Sequence, residues 1–277
     1  MENKMQNVTS PQVIKNQYGT DSSLNSRIRI KKLFSTGKQG WGNFLLQNFC
    51  LKPNDRILEL GCGNAVFWKA IADRVPTGVK LTLSDFSEGM LESAKSNTNK
   101  LIFIENYAVI DAQYLPHDDN TFDVVIANYM LYHVPLVEKA LSEISRVLKP
   151  NGFFFAATFG KDNLKEVTDI FYNYDNKISS VLNEMVSVFG LENGVELLNK
   201  HFNSVELKKF ENNLHITDFD SFANYLLSYR GMGNISEIIS NDKIKQFSAY
   251  LNELFSAKDY VDITQDEGLF ISSIPKK

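Results

Sequence analysis

Between residues 53 and 160, short apolar runs alternate with stretches whose apolar positions recur every three or four residues. Runs at 56–60, 79–84, 101–105, 122–128 and 152–158 predict strands, and periodic stretches at 66–75, 87–96 and 136–148 predict helices. That rhythm predicts βαβ units laid into a parallel sheet. Unbroken apolar segments such as Val124-Val125-Ile126-Ala127 agree, because strands covered on both faces lose the simple in-out alternation.

The flanking sequence follows other patterns. Residues 1–25 are polar and weakly patterned, with Tyr18 and Leu24 as isolated apolar points, and read as an arm. Residues 26–50 predict two helices split near Ser35-Thr36-Gly37 and Gly40, the second carrying Trp41, Phe44, Leu45 and Phe49 on one face. After Gly160, Leu164, Val167, Phe171, Tyr174, Ile178, Val181, Met185 and Val188 repeat at spacings of three and four. This is one long amphipathic helix or a broken pair. A cap packed on the sheet is preferred to a dimerising coiled coil, because the seam is rich in aromatics and short of four clean heptads. A strand at 204–210, helices at 218–228 and 242–255, and strand-like runs at 260–264 and 268–274 then add to one edge of the sheet. The resulting organisation is an arm and helical cover (1–52), a nucleoside-binding core (53–160), a helical cap (161–202) and a segment completing the sheet (203–277).

Composition narrows the class. Of the 277 residues 43% are hydrophobic, enough for a sizeable core, and the net charge of −4 gives no general attraction to nucleic acid or an anionic membrane. A small-molecule partner fits that balance better. Cys50 and Cys62 are the only cysteines, which excludes a disulfide framework and a cysteine zinc site, so no metal is expected. The polar N-terminus has no apolar h-region and no run approaches bilayer length, so a cytoplasmic monomer or homodimer is the expectation.

The densest chemical signal is Arg-Ile-Leu-Glu-Leu-Gly-Cys-Gly-Asn at 56–64, a strand entering a turn with Gly61 and Gly63. Bare backbone there lets a ligand approach the amides at the carboxyl edge of the sheet. A dinucleotide fingerprint needs a third glycine at the position held by Val66. Glu59 sits poorly beside an anionic pyrophosphate but suits a ligand with an ammonium and a sulfonium. Spacing and charge therefore disfavour a nucleotide-dependent oxidoreductase and point to S-adenosylmethionine.

Glu59-Leu60-Gly61-Cys62-Gly63-Asn64 resembles the first motif of class I S-adenosylmethionine-dependent methyltransferases, and further motifs follow in order. Asp85-Phe86-Ser87-Glu88-Gly89-Met90-Leu91 is similar to the second motif, which implies that Asp85 accepts hydrogen bonds from both ribose hydroxyls while Phe86 and Met90 flank the adenine. Asp111-Ala112-Gln113 resembles the adenine-reading loop, 122–128 with the segment from Tyr129 to Val134 resembles the fourth strand and active-site loop, and 146–152 resembles the turn before the fifth strand. These pieces cover about residues 55–160. The resemblance implies a Rossmann-like, doubly wound, seven-stranded, mostly parallel sheet with an antiparallel edge strand, and S-adenosyl-L-methionine as cofactor. In the departure from the pattern, Ala65 stands where the family commonly has a third glycine.

Each candidate has a structural rival. Glu59 could pair with a core cation, although an uncompensated buried acid is costly. Asp85 could cap the helix beginning near Ser87, Asp111 could merely form the turn before Leu115-Pro116, and Asn128 could close a turn rather than face the methionine end of the cofactor. Cys62 reads as a small residue chosen for fit. Arg27, Arg29, Lys31 and Lys32 read as a solvated helix face, from which one arginine could reach the cofactor carboxylate. His133 is a candidate base beside the reacting centre or a packed loop residue, and Tyr129 and Tyr132 are candidates to surround a cationic methyl group. In-line methyl transfer from a sulfonium needs positioning more than an obligatory base. The expectation is methyl transfer to a small, partly apolar acceptor. The rivals are a nucleic-acid or protein methyltransferase and a protein that binds S-adenosylmethionine without transfer.

Overall fold

The computed structural model describes residues 22–178 and 181–276, without the side chains of Ser22, Ser23 and Val181. The expected arm up to residue 21, with Tyr18, lies outside the described residues. Seven strands, β1 (Arg56–Leu60), β2 (Lys80–Asp85), β3 (Ile104–Val109), β4 (Phe122–Asn128), β5 (Leu148–Phe159), β6 (Phe202–Ile216) and β7 (Val261–Pro275), form one sheet in the order β3-β2-β1-β4-β5-β7-β6. Strands β1 to β5 pair in parallel, and β7 is antiparallel to both β5 and β6. The expected antiparallel addition thus lies at one sheet edge, with β7 seated one place in and β6 outermost. Strand order reverses between β1 and β4, and the crevice above that switch point is where such sheets bind ligands.

Helices α1 (Ser22–Phe34) and α2 (Trp41–Asn48) precede β1, matching the expected split. Helices α3 (Val66–Ala70), α4 (Glu88–Thr98) and α5 (Val137–Val147) connect the parallel strands. Ser87 caps α4 by accepting the Met90 amide. The stretch 164–188 is a broken pair, α6 (Lys165–Tyr174) and α7 (Val181–Val188), ended at its first half by the extended Asp175. Short α8 (Gly194–Asn199) leads into β6, and α9 (Phe219–Leu227), α10 (Ile235–Ile238) and α11 (Ile244–Ser256) fill the excursion between β6 and β7.

Two apolar clusters cover the sheet. One gathers Phe44 and Leu45 of α2 and the following Phe49 with Trp68 of α3, Leu91 of α4 and inward residues of β1, β2 and β4. The other packs α5 through α11 against the opposite face, with Phe154, Phe247 and Phe270 fully buried. Burial of these side chains from both sides explains the unbroken apolar runs of β4 and β5.

Several boundaries differ from the sequence expectation. The helix starting at Val66 ends at Ala70 and continues as a 3-10 turn, Ala72–Arg74, after Ile71 leaves helical dihedrals. Strand β3 begins three residues later than expected, because it is a half-exposed edge strand whose register is set by pairing with β2 across an irregularity at Leu81/Thr82. The runs at 260–264 and 268–274 are one continuous strand. Gln265-Asp266-Glu267 reads as a polar break in sequence, yet its backbone stays in register with β6.

Candidate active site

Immediately after β1 the chain takes three left-handed residues, Gly61 (φ 67°), Gly63 (φ 55°) and Ala65 (φ 53°). A Cβ on Gly61 would lie 2.7 Å from Met130 Cβ, so glycine is required there by space as well as by dihedral. The turn is tied to β2, because the Cys62 amide donates to the Ser84 carbonyl at 2.8 Å and the Gly63 amide to Asp85 Oδ2 at 2.9 Å. Asn64, buried, donates to Asn25 Oδ1 at 3.0 Å and so links the turn to α1. Ala65 tolerates the left-handed conformation that the missing glycine would adopt without strain.

Asp85 is held by two amides rather than acting as a cap. Its Oδ2 accepts from Gly63 and its Oδ1 from Ser87 at 2.8 Å, while Ser87 itself caps α4. Both oxygens keep lone pairs for further donors. Burial pushes its pKa up, and the Ser87, Gly63 and Phe86 amides oppose that rise. Asp111 does form the turn that its structural rival required: Oδ1 accepts the Gln113 amide at 2.9 Å, and the Gln113 side chain closes on both carboxylate oxygens. It lines the cavity as well, next to the buried Ala112.

Glu59 is fully enclosed at 4% exposure. Trp68 Nε1 donates to its Oε2 at 2.5 Å and Asn128 Nδ2 to its Oε1 at 3.3 Å, so its partners are an indole and an amide rather than a core cation. Desolvation drives its pKa up to about 7 against these two hydrogen bonds, with Asp85 adding a smaller push in the same direction. Asn128 Oδ1 is buried and has no hydrogen-bond partner.

Past β4, Tyr129 also takes positive φ (53°), and Leu131–His133 forms a 3-10 turn. His133 is buried, its ring 4.6 Å from that of Tyr132, which packs in turn on Phe159 at 4.9 Å. Burial, followed by the charge of Glu267, holds the Tyr129 phenol well above its ordinary range.

All fourteen sequence candidates line one cavity of about 420 Å³: Glu59, Gly61, Cys62, Gly63, Asn64, Asp85, Phe86, Met90, Asp111, Ala112, Asn128, Tyr129, Tyr132 and His133. The cavity also receives residues the sequence reading did not place. Arg27 and Lys31 turn inward from α1, whereas Arg29 and Lys32 are exposed, which corrects the solvated-face reading for the first two. Arg27 donates to the Ser228 carbonyl at 2.8 Å and lies 4.8 Å over the Tyr229 ring. Lys31 pairs with Glu267. Tyr225, Tyr229, Met232, Gln265 and Glu267 come from the excursion and from β7. The period-two placement of Gln265 and Glu267 between Ile263 and Leu269 was a usable signal, because it puts two polar residues on the inner face of a strand.

The Gly61–Gly63 cradle, the paired-amide Asp85 and the orphaned Asn128 Oδ1 beside Glu59 fit an amino-acid nucleoside with vicinal hydroxyls and a cationic amine. A methyltransferase domain family matches residues 58–156. A demethylmenaquinone methyltransferase of Staphylococcus epidermidis is 31% identical over 147 residues, covering 52% of this chain and 60% of its own length. A ubiquinone/menaquinone biosynthesis C-methyltransferase of Rickettsia akari is 32% identical over 139 residues, 48% of this chain and 56% of its own. The chain thus matches little more than half the length of these relatives. Among solved structures, a phosphoethanolamine N-methyltransferase of Haemonchus contortus superposes with TM-score 0.58 at 20% identity over 95% of this chain and 59% of that one. The YcgJ protein of Bacillus subtilis superposes with TM-score 0.56 at 21% identity, over 85% of this chain and 97% of that one.

Proposed function

We propose that this chain is a class I S-adenosylmethionine-dependent methyltransferase that transfers a methyl group to a small, partly apolar acceptor, a reading supported by the methyltransferase domain matched at residues 58–156. Its cofactor is S-adenosylmethionine, which when bound supplies a methyl group on a sulfonium already activated for displacement. The observation that carries the reading is the order of polar groups along the sheet. Asp111 follows β3, Asp85 ends β2, the glycine turn and Glu59 belong to β1, and Asn128 ends β4.

Each residue has a role in that reading. Asp111 and the Ala112 backbone read the adenine, with Phe86 and Met90 beside it, and Asp85 accepts the ribose hydroxyls on lone pairs its two amides leave open. Gly61, Cys62, Gly63 and Asn64 shape the cradle, and Glu59 with Asn128 Oδ1 receives the ammonium group. Tyr129 and Tyr132 border the reacting centre and keep water out, and His133 stands as the candidate proton acceptor. Apolar Met130, Phe159, Leu164, Leu182 and Met185 wall the remaining space. They favour a metabolite over an open polynucleotide groove, in keeping with the net charge of −4. No helix among the described residues is long and apolar enough to cross a membrane, consistent with a cytoplasmic enzyme.

Calorimetry with S-adenosylmethionine, S-adenosylhomocysteine and NAD tests this, and a preference for NAD refutes it. Asp85→Ala should weaken S-adenosylhomocysteine binding by about 1.5–3 kcal/mol through lost charge-assisted hydrogen bonds. An unchanged affinity means that the ribose lies elsewhere. The relatives named for demethylmenaquinone make ring-bearing compounds the first acceptors to screen with labelled cofactor.

A further inference from the structure

We propose that Glu267 and Gln265 of β7 form the recognition pole for the methyl acceptor, and that this acceptor carries a neutral hydroxyl on an otherwise apolar body. The proposal rests on the methyltransferase reading above for the identity of the ligand, and on the following geometry for the site itself.

Glu267 is 3% and Gln265 6% exposed, and both line the cavity. Lys31 donates to Glu267 Oε1, leaving Oε2 buried without a hydrogen-bond partner. Gln265 spends its amide nitrogen on the Thr264 carbonyl at 3.3 Å, and its Oε1 is likewise buried and unpartnered. The Tyr129 hydroxyl lies close enough to Glu267 to interact with its carboxylate, without a well-aligned hydrogen bond. Leaving acceptors unsatisfied in a protein interior is costly, so Glu267 Oε2 and Gln265 Oε1 in one wall mark where a ligand supplies a missing donor.

Sheet order separates this pole from the cofactor end. From β1, which carries the glycine turn, to β7 the sheet steps through β4 and β5, three intervals that together span about 14 Å at the usual strand spacing. Glu267 stands directly opposite Phe159, at the carboxyl end of β5. Phe159, Tyr225, Tyr229, Met232 and Met185 also line the cavity, and the Arg27 guanidinium, 4.8 Å over the Tyr229 ring, adds a second positive charge.

Charge selects the donor. Lys31 already neutralises the carboxylate, so a second full cation at Oε2 would enter a pair whose net charge is zero and lose its hydration without a counter-charge. A hydroxyl supplies the hydrogen bond without that cost. Gln265 Oε1 is a second acceptor in the same wall, open to the one hydroxyl proton when it turns from Glu267.

The test uses three probes of one shape, 1-naphthol, 1-methoxynaphthalene and 1-naphthylmethylammonium, titrated by fluorescence into the wild-type protein with and without saturating S-adenosylhomocysteine. The expected result is at least tenfold tighter binding of 1-naphthol than of either other probe. Equal affinity for 1-naphthol and 1-methoxynaphthalene overturns the proposal, as does tightest binding of the ammonium probe or no binding of 1-naphthol. Glu267→Gln adds a polarity check. With Lys31 facing the new amide oxygen, the amide nitrogen points into the cavity as a donor that both oxygens can accept, so the advantage of 1-naphthol over 1-methoxynaphthalene should shrink toward parity while S-adenosylhomocysteine affinity stays at the wild-type value. A wild-type protein that fails to bind S-adenosylhomocysteine refutes the methyltransferase reading instead, and leaves the probe comparison readable in the cofactor-free protein.

Discussion

Gly61 and Ala65 both sit at positive φ, but only Gly61 is also pressed by a neighbour, with Met130 Cβ 2.7 Å from where its own Cβ would stand. Gly61→Ala therefore combines left-handed strain with a clash, and should cost about 2–4 kcal/mol in urea unfolding and disturb the cradle. Ala65→Gly relieves strain in the folded state while loosening the unfolded chain, and should stabilise by up to about 1 kcal/mol. The contrast between the two checks that the turn, rather than glycine content, carries the site. Asp85 was legible because an acid at the end of a strand, followed by a serine cap, leaves its carboxylate free to accept the Gly63 and Ser87 amides and to face the cavity. Lys31 was not, since nothing local distinguishes it from the exposed Lys32. Its partner Glu267 lies 236 positions away along the chain.

Among the elements, α2 does more than cover the sheet. Trp41 packs on Phe44, on Tyr129 and on Phe210 of β6, with ring centroids 5.4, 5.3 and 5.1 Å apart, so it joins the cover, the active-site loop and the outer strand. Trp41→Ala should lower unfolding stability by about 2–4 kcal/mol and weaken S-adenosylhomocysteine binding through loss of the Tyr129 support. A drop in stability with unaltered binding would show that the cover does not shape the cofactor end. The parallel strands β1 and β4 were readable to the residue because both faces are buried and their apolar runs have sharp ends. Edge strand β3 and long β7 were less so. One is half exposed, and the other turns polar side chains into the cavity, which in sequence imitates a loop.

Across the whole molecule, Glu59 couples protonation to stability and to ligand charge. Folded, it keeps its proton up to about pH 7, whereas its ordinary value is 4.5. Between those limits the folded state binds more protons than the unfolded one, so stability is greatest below pH 4.5 for this group and falls as pH rises through 7. The size of the effect is on the order of 3 kcal/mol at about 1.4 kcal/mol per pH unit. Denaturation midpoints of the wild type should decline over that window more steeply than those of Glu59→Gln. Affinity for S-adenosylhomocysteine, whose ammonium favours the ionised carboxylate, should rise from pH 5 to 7 in the wild type and stay flat in the variant. What the sequence by itself determined was the parallel α/β core, the switch-point crevice and the run of residues from Glu59 to Asn128 that lines it, because each is set by local periodicity or by a motif within one strand-turn-helix unit. The opposite wall of the cavity, where Lys31, Tyr229, Gln265 and Glu267 join Tyr129, was decided by tertiary structure. It is assembled from chain segments that meet because β7 inserts between β5 and β6 and α1 folds back over the sheet, and no short-range pattern encodes such a meeting.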